Sequence, residues 1–342
     1  MQKFSVEQIT PGMRLAYDIY SFDGQLLLRK GTIIDQKYLG SLTKQGIDYV
    51  YIMSASSTGS LAKRQLGDIY EESLTTVKTF MTGAKLGEPL NRAEITETVD
   101  VLVEHVFEDI NIFGQLMLMK DKDDYLFTHS VNVSLLTILI SRWLKCSEQV
   151  TRQAGLAGLL HDIGKVCVLE EILNKPGRLT DEEFEEMKKH PVLGYNMIAQ
   201  YDWLEPEVKS AVLMHHERID GSGYPLGVRG DGVTLLGRMV AVADVYDAIT
   251  STRVYSARET PFKAAEVLRE ESFGKLDARM VKVFYDRAAN FYIGQRVRLS
   301  NGEEGSVVYI DRSLPTRPVV KVGERFYDLA QERSLTIESI LD

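Results

Sequence analysis

The chain has little cysteine, no long apolar run and no excess of positive charge, and each deficit argues against a class of protein. Only two cysteines, Cys146 and Cys167, occur in 342 residues, and they lack C-x-x-C spacing. A disulfide scaffold and a structural thiolate zinc site are disfavoured, and two thiols in apolar surroundings are expected to be buried and reduced, as in a cytoplasmic protein. The most apolar stretch, 131–144, is interrupted by Asn132, Ser134, Ser141 and Arg142, short of the roughly 20 apolar residues a membrane span needs. The first residues, MQKFSVEQITPGM, have no apolar signal-peptide core, so no membrane insertion is expected. A net charge of -9 argues against binding of large nucleic acids, whose partners carry a basic excess that displaces counterions from phosphates. A small anionic substrate would need local cations instead.

What is present is an ordinary globular composition, 44% hydrophobic and 26% charged, at a length that implies two or three domains. Residues 1–60 carry short β-like runs, LLLRKGTII and YVYIM, separated by turn signals, and read as a small α+β module. Residues 61–118 read as a helical connector, with Ile95, Val99, Leu102, Val103 and Val106 on one face. That stripe, if exposed, would favour a homodimer. Residues 119–290 read as almost wholly helical. Thr180 and Glu183 have capping-box spacing, and Glu205-Pro206 marks another helix start. Past 291 the period changes to two, with Val297 and Leu299 alternating and Asn301-Gly302 as a hairpin turn, so 291–342 reads as a small β-barrel. The fold class is multidomain and mainly α.

Five of the six histidines fall in a spaced series with carboxylates: His129, His161-Asp162, His190, His215-His216 and Asp244. His105 stands apart and reads as an exposed or partly packed helix residue. Each member alone is a weak signal, but the series offers more ligands than one metal ion takes. Two adjacent pairs can diverge toward neighbouring ions, as a two-metal hydrolytic centre requires. Consecutive helix residues such as His215 and His216 lie about 100° apart and could straddle two ions. The turn His161-Asp162-Ile163-Gly164-Lys165 joins ligands, a small residue and a cation suited to phosphate. Asp244 and Asp247 lie on LLGRMVAVADVYDAI, apolar nearly all round, where buried carboxylates need metal or cationic partners.

His161-Asp162 with Gly164-Lys165 resembles the HD superfamily of metal-dependent phosphohydrolases. The segment from His215-His216-Glu217 through Asp220-Gly221 to Gly223-Tyr224-Pro225 is similar to the HHE-x-x-DG-x-GYP signature of the HD-GYP family. With HSVNV at 129–133, KKHP at 188–191 and VADVYDAIT at 242–250, the resemblance covers about 119–290. It implies a helical metal-dependent phosphodiesterase that opens the bacterial second messenger cyclic di-GMP, some members acting on related cyclic dinucleotides.

Residue by residue, the resemblance implies that His129, His161, Asp162, His190, His215, His216 and Asp244 are metal ligands, with Asp162 bridging the ions. Lys165 would lie near the scissile phosphate, Asp247 would hold Lys165 by an ion pair, and Tyr224 and Arg253 would contact substrate phosphate. A third metal in some members uses a glutamate where this chain has Tyr125, so two divalent ions, iron or manganese, are expected. Ser256 and Leu276 also depart from the common pattern, which bears on substrate affinity rather than on the metals. The expected chemistry is in-line attack of a metal-activated hydroxide, giving pGpG and, where a terminal phosphate is also accepted, GMP. The competing readings are a catalytically silent cyclic-dinucleotide-binding signalling protein and an HD phosphohydrolase of another cyclic dinucleotide. Glu217 is expected either to orient a ligand histidine or to be a solvated helix-end charge.

Overall fold

The structure, a computed structural model, describes residues 2–6, 9, 13, 15, 19–20, 26–28, 32–35, 38, 42, 49–52, 66–108, 113, 116, 125–251, 260–288, 293–311 and 313–341. The chain divides into two compact units, Met1–Arg64 and Gln65–Asp342. In the first, β1 (Gln2–Ser5) pairs antiparallel with β4 (Tyr49–Ile52), and β2 (Ile19–Tyr20) with β3 (Leu26–Leu28). Leu15, Ile34, Leu42 and Val50 form its apolar centre.

The second unit is mainly helical. Its helices are α1 (Leu66–Lys85), α2 (Arg92–Glu108), α3 (Tyr125–Trp143), α4 (Glu148–Leu160), α5 (Glu170–Leu173), α6 (Asp181–Met187), α7 (His190–Ala199), α8 (Pro206–Met214), α9 (Leu235–Thr250), α10 (Pro261–Glu271) and α11 (Ala278–Ala288). A 3-10 turn, Ile163–Cys167, lies between α4 and α5. The starts follow local chemistry. Ser147, Thr234 and Thr260 cap α4, α9 and α10, the Thr180–Glu183 capping box opens α6, and Pro206 opens α8.

The central layer is α3, buried from Thr128 to Ser141. Its polar side chains are satisfied within the fold: Ser134 donates to the Gly155 carbonyl at 2.9 Å, and Ser141 bonds Thr151. A Cβ at Gly158 would lie 2.7 Å from Ser134 Cα, so glycine there permits the close approach of α4 to α3. That approach brings His129 and His161 together.

The connector expectation needs correction. Ile95, Val99, Leu102, Val103 and Val106 are at most 4% exposed and belong to one core cluster with α3, α4 and α9. The stripe is buried within this unit because α2 packs on α3 and α4, so it offers no homodimer face. His105, expected near the surface, is buried on the same helix. The thiols also differ from expectation: Cys146 is half-buried and Cys167 exposed, since both lie where elements end.

After α11 the chain forms an antiparallel sheet of β5 (Arg296–Leu299), β6 (Glu304–Tyr309), β7 (Val319–Val322), β8 (Arg325–Asp328) and β9 (Ile337–Leu341), in the order β8-β7-β6-β5-β9. Val297, Leu299, Val307 and Val320 form its buried row. The turn after β5 has Gly302 at φ +85°, a conformation glycine adopts without strain. Among the described residues β8 and β9 remain the ends of the order, so the pairing does not close into the expected barrel.

Candidate metal centre

Three of the series histidines sit where a helix ends. His161 follows α4, His190 comes two residues after the C-cap of α6, and His215 caps α8. The last carbonyls of a helix lack intrahelical partners, and each of these rings uses one. The Nδ1 atoms of His161, His190 and His215 lie 2.8, 2.8 and 2.7 Å from the carbonyls of Gly158, Met187 and Val212. A carbonyl only accepts, so each Nδ1 carries a proton, and the tautomer able to ligate is the one whose lone pair is on Nε2.

Those lone pairs converge. His190 Nε2 lies 3.1 Å from His215 Nε2, and His161 Nε2 lies 3.2 Å from His129 Nε2. One donor set is Asp162, His190, His215 and His216, the other His129, His161 and Asp244, with ligand atoms of each set within 4.8 Å of one another. Asp162 faces both. Its Oδ1 is 3.2 Å from His190 Nε2, and its Oδ2 is 3.3 Å from His161 Nε2 and 3.5 Å from His129 Nε2. Asp162 Oδ1 is buried without a hydrogen-bond partner among the described residues. An orphaned carboxylate oxygen beside imidazole nitrogens is stable only with positive charge between them. The donor set therefore fits divalent cations, and mixed imidazole and carboxylate ligands suit iron, manganese or zinc.

The electrostatics agree. Burial pushes His215 and His216 well below the ordinary imidazole value, reinforced by neighbouring imidazoles, so both stay neutral and able to ligate. Burial would raise Asp162 and Asp244, but His161 and Lys165 around the first, and the hydrogen bond from His129 at the second, hold both well below the usual carboxylate range. His129 is the exception. Burial opposes its charging, yet Asp244 and Asp247 raise it to about 9. Its Nδ1 lies 2.7 Å from Asp247 Oδ2 and its Nε2 3.1 Å from Asp244 Oδ1, so a proton stands where a cation would replace it.

Several expectations change. Asp247 is engaged by His129 and by the Ser251 hydroxyl at 3.1 Å, while Lys165 Nζ pairs with Asp162 Oδ2 at 2.6 Å. The expected Asp247–Lys165 ion pair gives way to a carboxylate that orients a histidine. His215 and His216, with ring centroids 4.2 Å apart, fall in one donor set rather than diverging. Helix α8 stops at Met214, so the regular 100° stagger does not apply. Tyr224 stacks on His216 at 4.7 Å, and Tyr125 on His129 at 5.3 Å. Glu217 is 2% exposed and accepts from the amides of Leu226 at 2.6 Å and Gly227 at 3.1 Å. It is neither solvated nor bonded to a ligand ring. Arg253 and Ser256 lie outside the described residues.

Two contributors escaped the sequence. Tyr70 on α1 donates to Asn132 at 2.6 Å, one turn beyond His129, and nothing local signals a pair 62 residues apart. Arg238 gathers the Val233 and Gly230 carbonyls, Asp231 and Asp277, tying the loop after His216 to the start of α11. A cation on an otherwise apolar helix was its only local sign.

Residues 115–280, which include the buried His161-Asp162 pair and the four other histidines of the series, match the HD domain family model. It is 41% identical over 249 residues to a Pseudomonas aeruginosa protein named as a cyclic di-GMP phosphodiesterase, covering 72% of this chain and 59% of that protein. A Xanthomonas campestris response regulator named as a cyclic di-GMP phosphodiesterase is 40% identical, with 42% and 38% covered. The 3′3′-cGAMP-specific phosphodiesterase 1 of Vibrio cholerae is 31% identical, with 54% and 43% covered. The chain thus spans three-fifths or less of the length of these relatives. An HDG"Y"P protein from Bdellovibrio bacteriovorus shares the fold with a TM-score of 0.55 at 18% identity, over 83% of this chain and 98% of that one. Among the described residues no helix is long and apolar enough to cross a membrane.

Proposed function

We propose that this chain is a metal-dependent phosphodiesterase that hydrolyses cyclic di-GMP to the linear dinucleotide pGpG, and to GMP where the site also admits a terminal phosphate. The observation that carries the reading is the position of Asp162, whose two oxygens face two separate donor sets in a buried site. Two divalent ions, iron or manganese by the family resemblance, would be held by His129, His161, Asp162, His190, His215, His216 and Asp244, and would supply Lewis acidity and acidification of water.

The chain's own residues supply the rest. Lys165, half-buried beside Asp162, brings the cation that neutralises charge spreading over phosphate oxygens. Asp247 fixes the ring of His129. Tyr224, held against His216, forms the wall that meets the substrate, and Arg253 is a second phosphate contact. The names of the relatives support cyclic di-GMP as substrate, and the relative named for 3′3′-cGAMP makes that dinucleotide the competitor.

The test is chromatography of products after anaerobically purified protein, loaded with ferrous iron or manganese, meets each cyclic dinucleotide beside an Asp162→Ala control. We expect pGpG from cyclic di-GMP with the unmutated protein alone. Full metal occupancy without turnover of either dinucleotide would replace the proposal with a binding function.

A further inference from the structure

The loop that carries Tyr224 is not held by apolar packing. From Gly221 to Gly230 no residue is buried, and Leu226 is 54% exposed. Yet Tyr224 keeps a stacked position on His216, with an interplanar angle of 28°. Two backbone features bring the loop back to the ligand pair. The Tyr224 amide donates to the His216 carbonyl at 3.3 Å. A Cβ at Gly223 would lie 2.4 Å from Arg218 N and 2.5 Å from His216 O, so the loop lies directly on the backbone that follows the histidines.

Beyond Tyr224, the loop is held at Leu226 and Gly227 by a side chain. Glu217, the residue after His216, accepts the consecutive amides of Leu226 and Gly227 on a single oxygen at 2.6 and 3.1 Å. Bonds from backbone N–H to a carboxylate are among the stronger ones. Its other oxygen is buried with no hydrogen-bond partner among the described residues. A carboxylate that keeps one oxygen unsatisfied in a buried position carries a cost, one that a loop anchor with a functional role accounts for.

We propose that Glu217 is a positioning residue that latches the Tyr224 loop over the metal centre and so sets affinity for the cyclic dinucleotide. This rests on the function proposed above. The Glu217 carboxylate bonds the amides of Leu226 and Gly227 and no member of either donor set, so its loss should leave metal content intact and act on substrate binding.

The experiment compares manganese-loaded wild type, Glu217→Ala and Glu217→Gln in the full chain by hydrogen exchange over residues 218–228, metal content, and KM and kcat with cyclic di-GMP. In Glu217→Ala we expect the Leu226 and Gly227 amides to exchange at least about tenfold faster. Metal content should hold, and KM should rise about tenfold or more with a smaller change in kcat. Glu217→Gln, which keeps an acceptor oxygen in place, should recover most of both effects. Unchanged exchange, or unchanged KM despite faster exchange, overturns the proposal. So does loss of metal or of cooperative folding in both variants, which would make Glu217 a purely structural residue. If the wild type cleaves no cyclic dinucleotide, the functional reading fails by itself, while the exchange comparison and dinucleotide binding by calorimetry still decide the latch.

Discussion

Gly164→Ala tests the geometry of the centre most directly. Gly164 sits between Asp162 and Lys165, and its backbone lies against the start of α7. A Cβ there would be 2.0 Å from the His190 carbonyl oxygen, 2.4 Å from Gly194 N and 2.9 Å from Gly194 Cα. All three are backbone atoms, so no side-chain rotation relieves the clash. Restoring ordinary contact of 3.4 Å to the nearest requires a shift of about 1.4 Å between the turn and α7. Overpacking of this kind costs about 1–3 kcal/mol, and here the upper end applies because backbone must move. For a domain of this size about 3 kcal/mol lowers Tm by about 6–12 °C. The same shift separates Asp162 from His190, now 3.2 Å apart, and about 1 Å of misplacement costs on the order of a hundredfold in rate. Differential scanning fluorimetry reads the first effect, and metal analysis with the product assay reads the second. Gly67→Ala is the control, since its Cβ meets nothing within 4 Å in exposed helix, and it should stabilise slightly. An unchanged Tm and metal content in Gly164→Ala would refute the reasoning.

Two further outcomes follow from the charges around His129. Asp247→Asn removes the carboxylate at its Nδ1 and should lower metal affinity about 10–100-fold, measured by metal competition with a chelator; equal affinity would show that Asp247 does not orient the ring. The second concerns pH. His129 is raised from 6.5 to about 9 in the folded metal-free protein, so its contribution is fully present below about 6.5 and is lost as pH rises through 9. A cation bound at Nε2 displaces that proton, so metal affinity should rise over the same range. The difference in Tm between manganese-loaded and chelator-treated protein should therefore widen from pH 6.5 to 9, and a constant gap would count against His129 as a ligand. Asp162 and Asp244, held low, act oppositely: their contributions exist above about 3.9 and disappear as pH falls through their folded values.

The helical body and the converging residues were legible because their signals are local. The Thr180–Glu183 box, Pro206 at a helix start and the all-round apolar segment carrying Asp244 each declare themselves within a turn or two. Which group faces which was not legible. Asp247 reaches His129 across 118 residues, a partner that no local spacing indicates, whereas the family resemblance implied Lys165 instead. The stripe on α2 was visible as a stripe, but period alone does not say whether a partner copy or the chain's own α3 covers it. Glu217 was ambiguous for a related reason. A carboxylate at a helix end is ordinarily solvated, and only the return of the loop through Leu226 and Gly227 buries it.

The ring orientation of His161, His190 and His215 is written by main-chain carbonyls at helix ends rather than by neighbouring side chains. No point substitution can delete such an acceptor, because every residue type has one. The tautomers of this centre are therefore insulated from drift in the surrounding sequence as long as the three helices stop where they do. What can disturb them is a change in helix length. An inserted or deleted residue near Gly158, Met187 or Val212 would turn a nitrogen away from the centre while leaving every ligand in place.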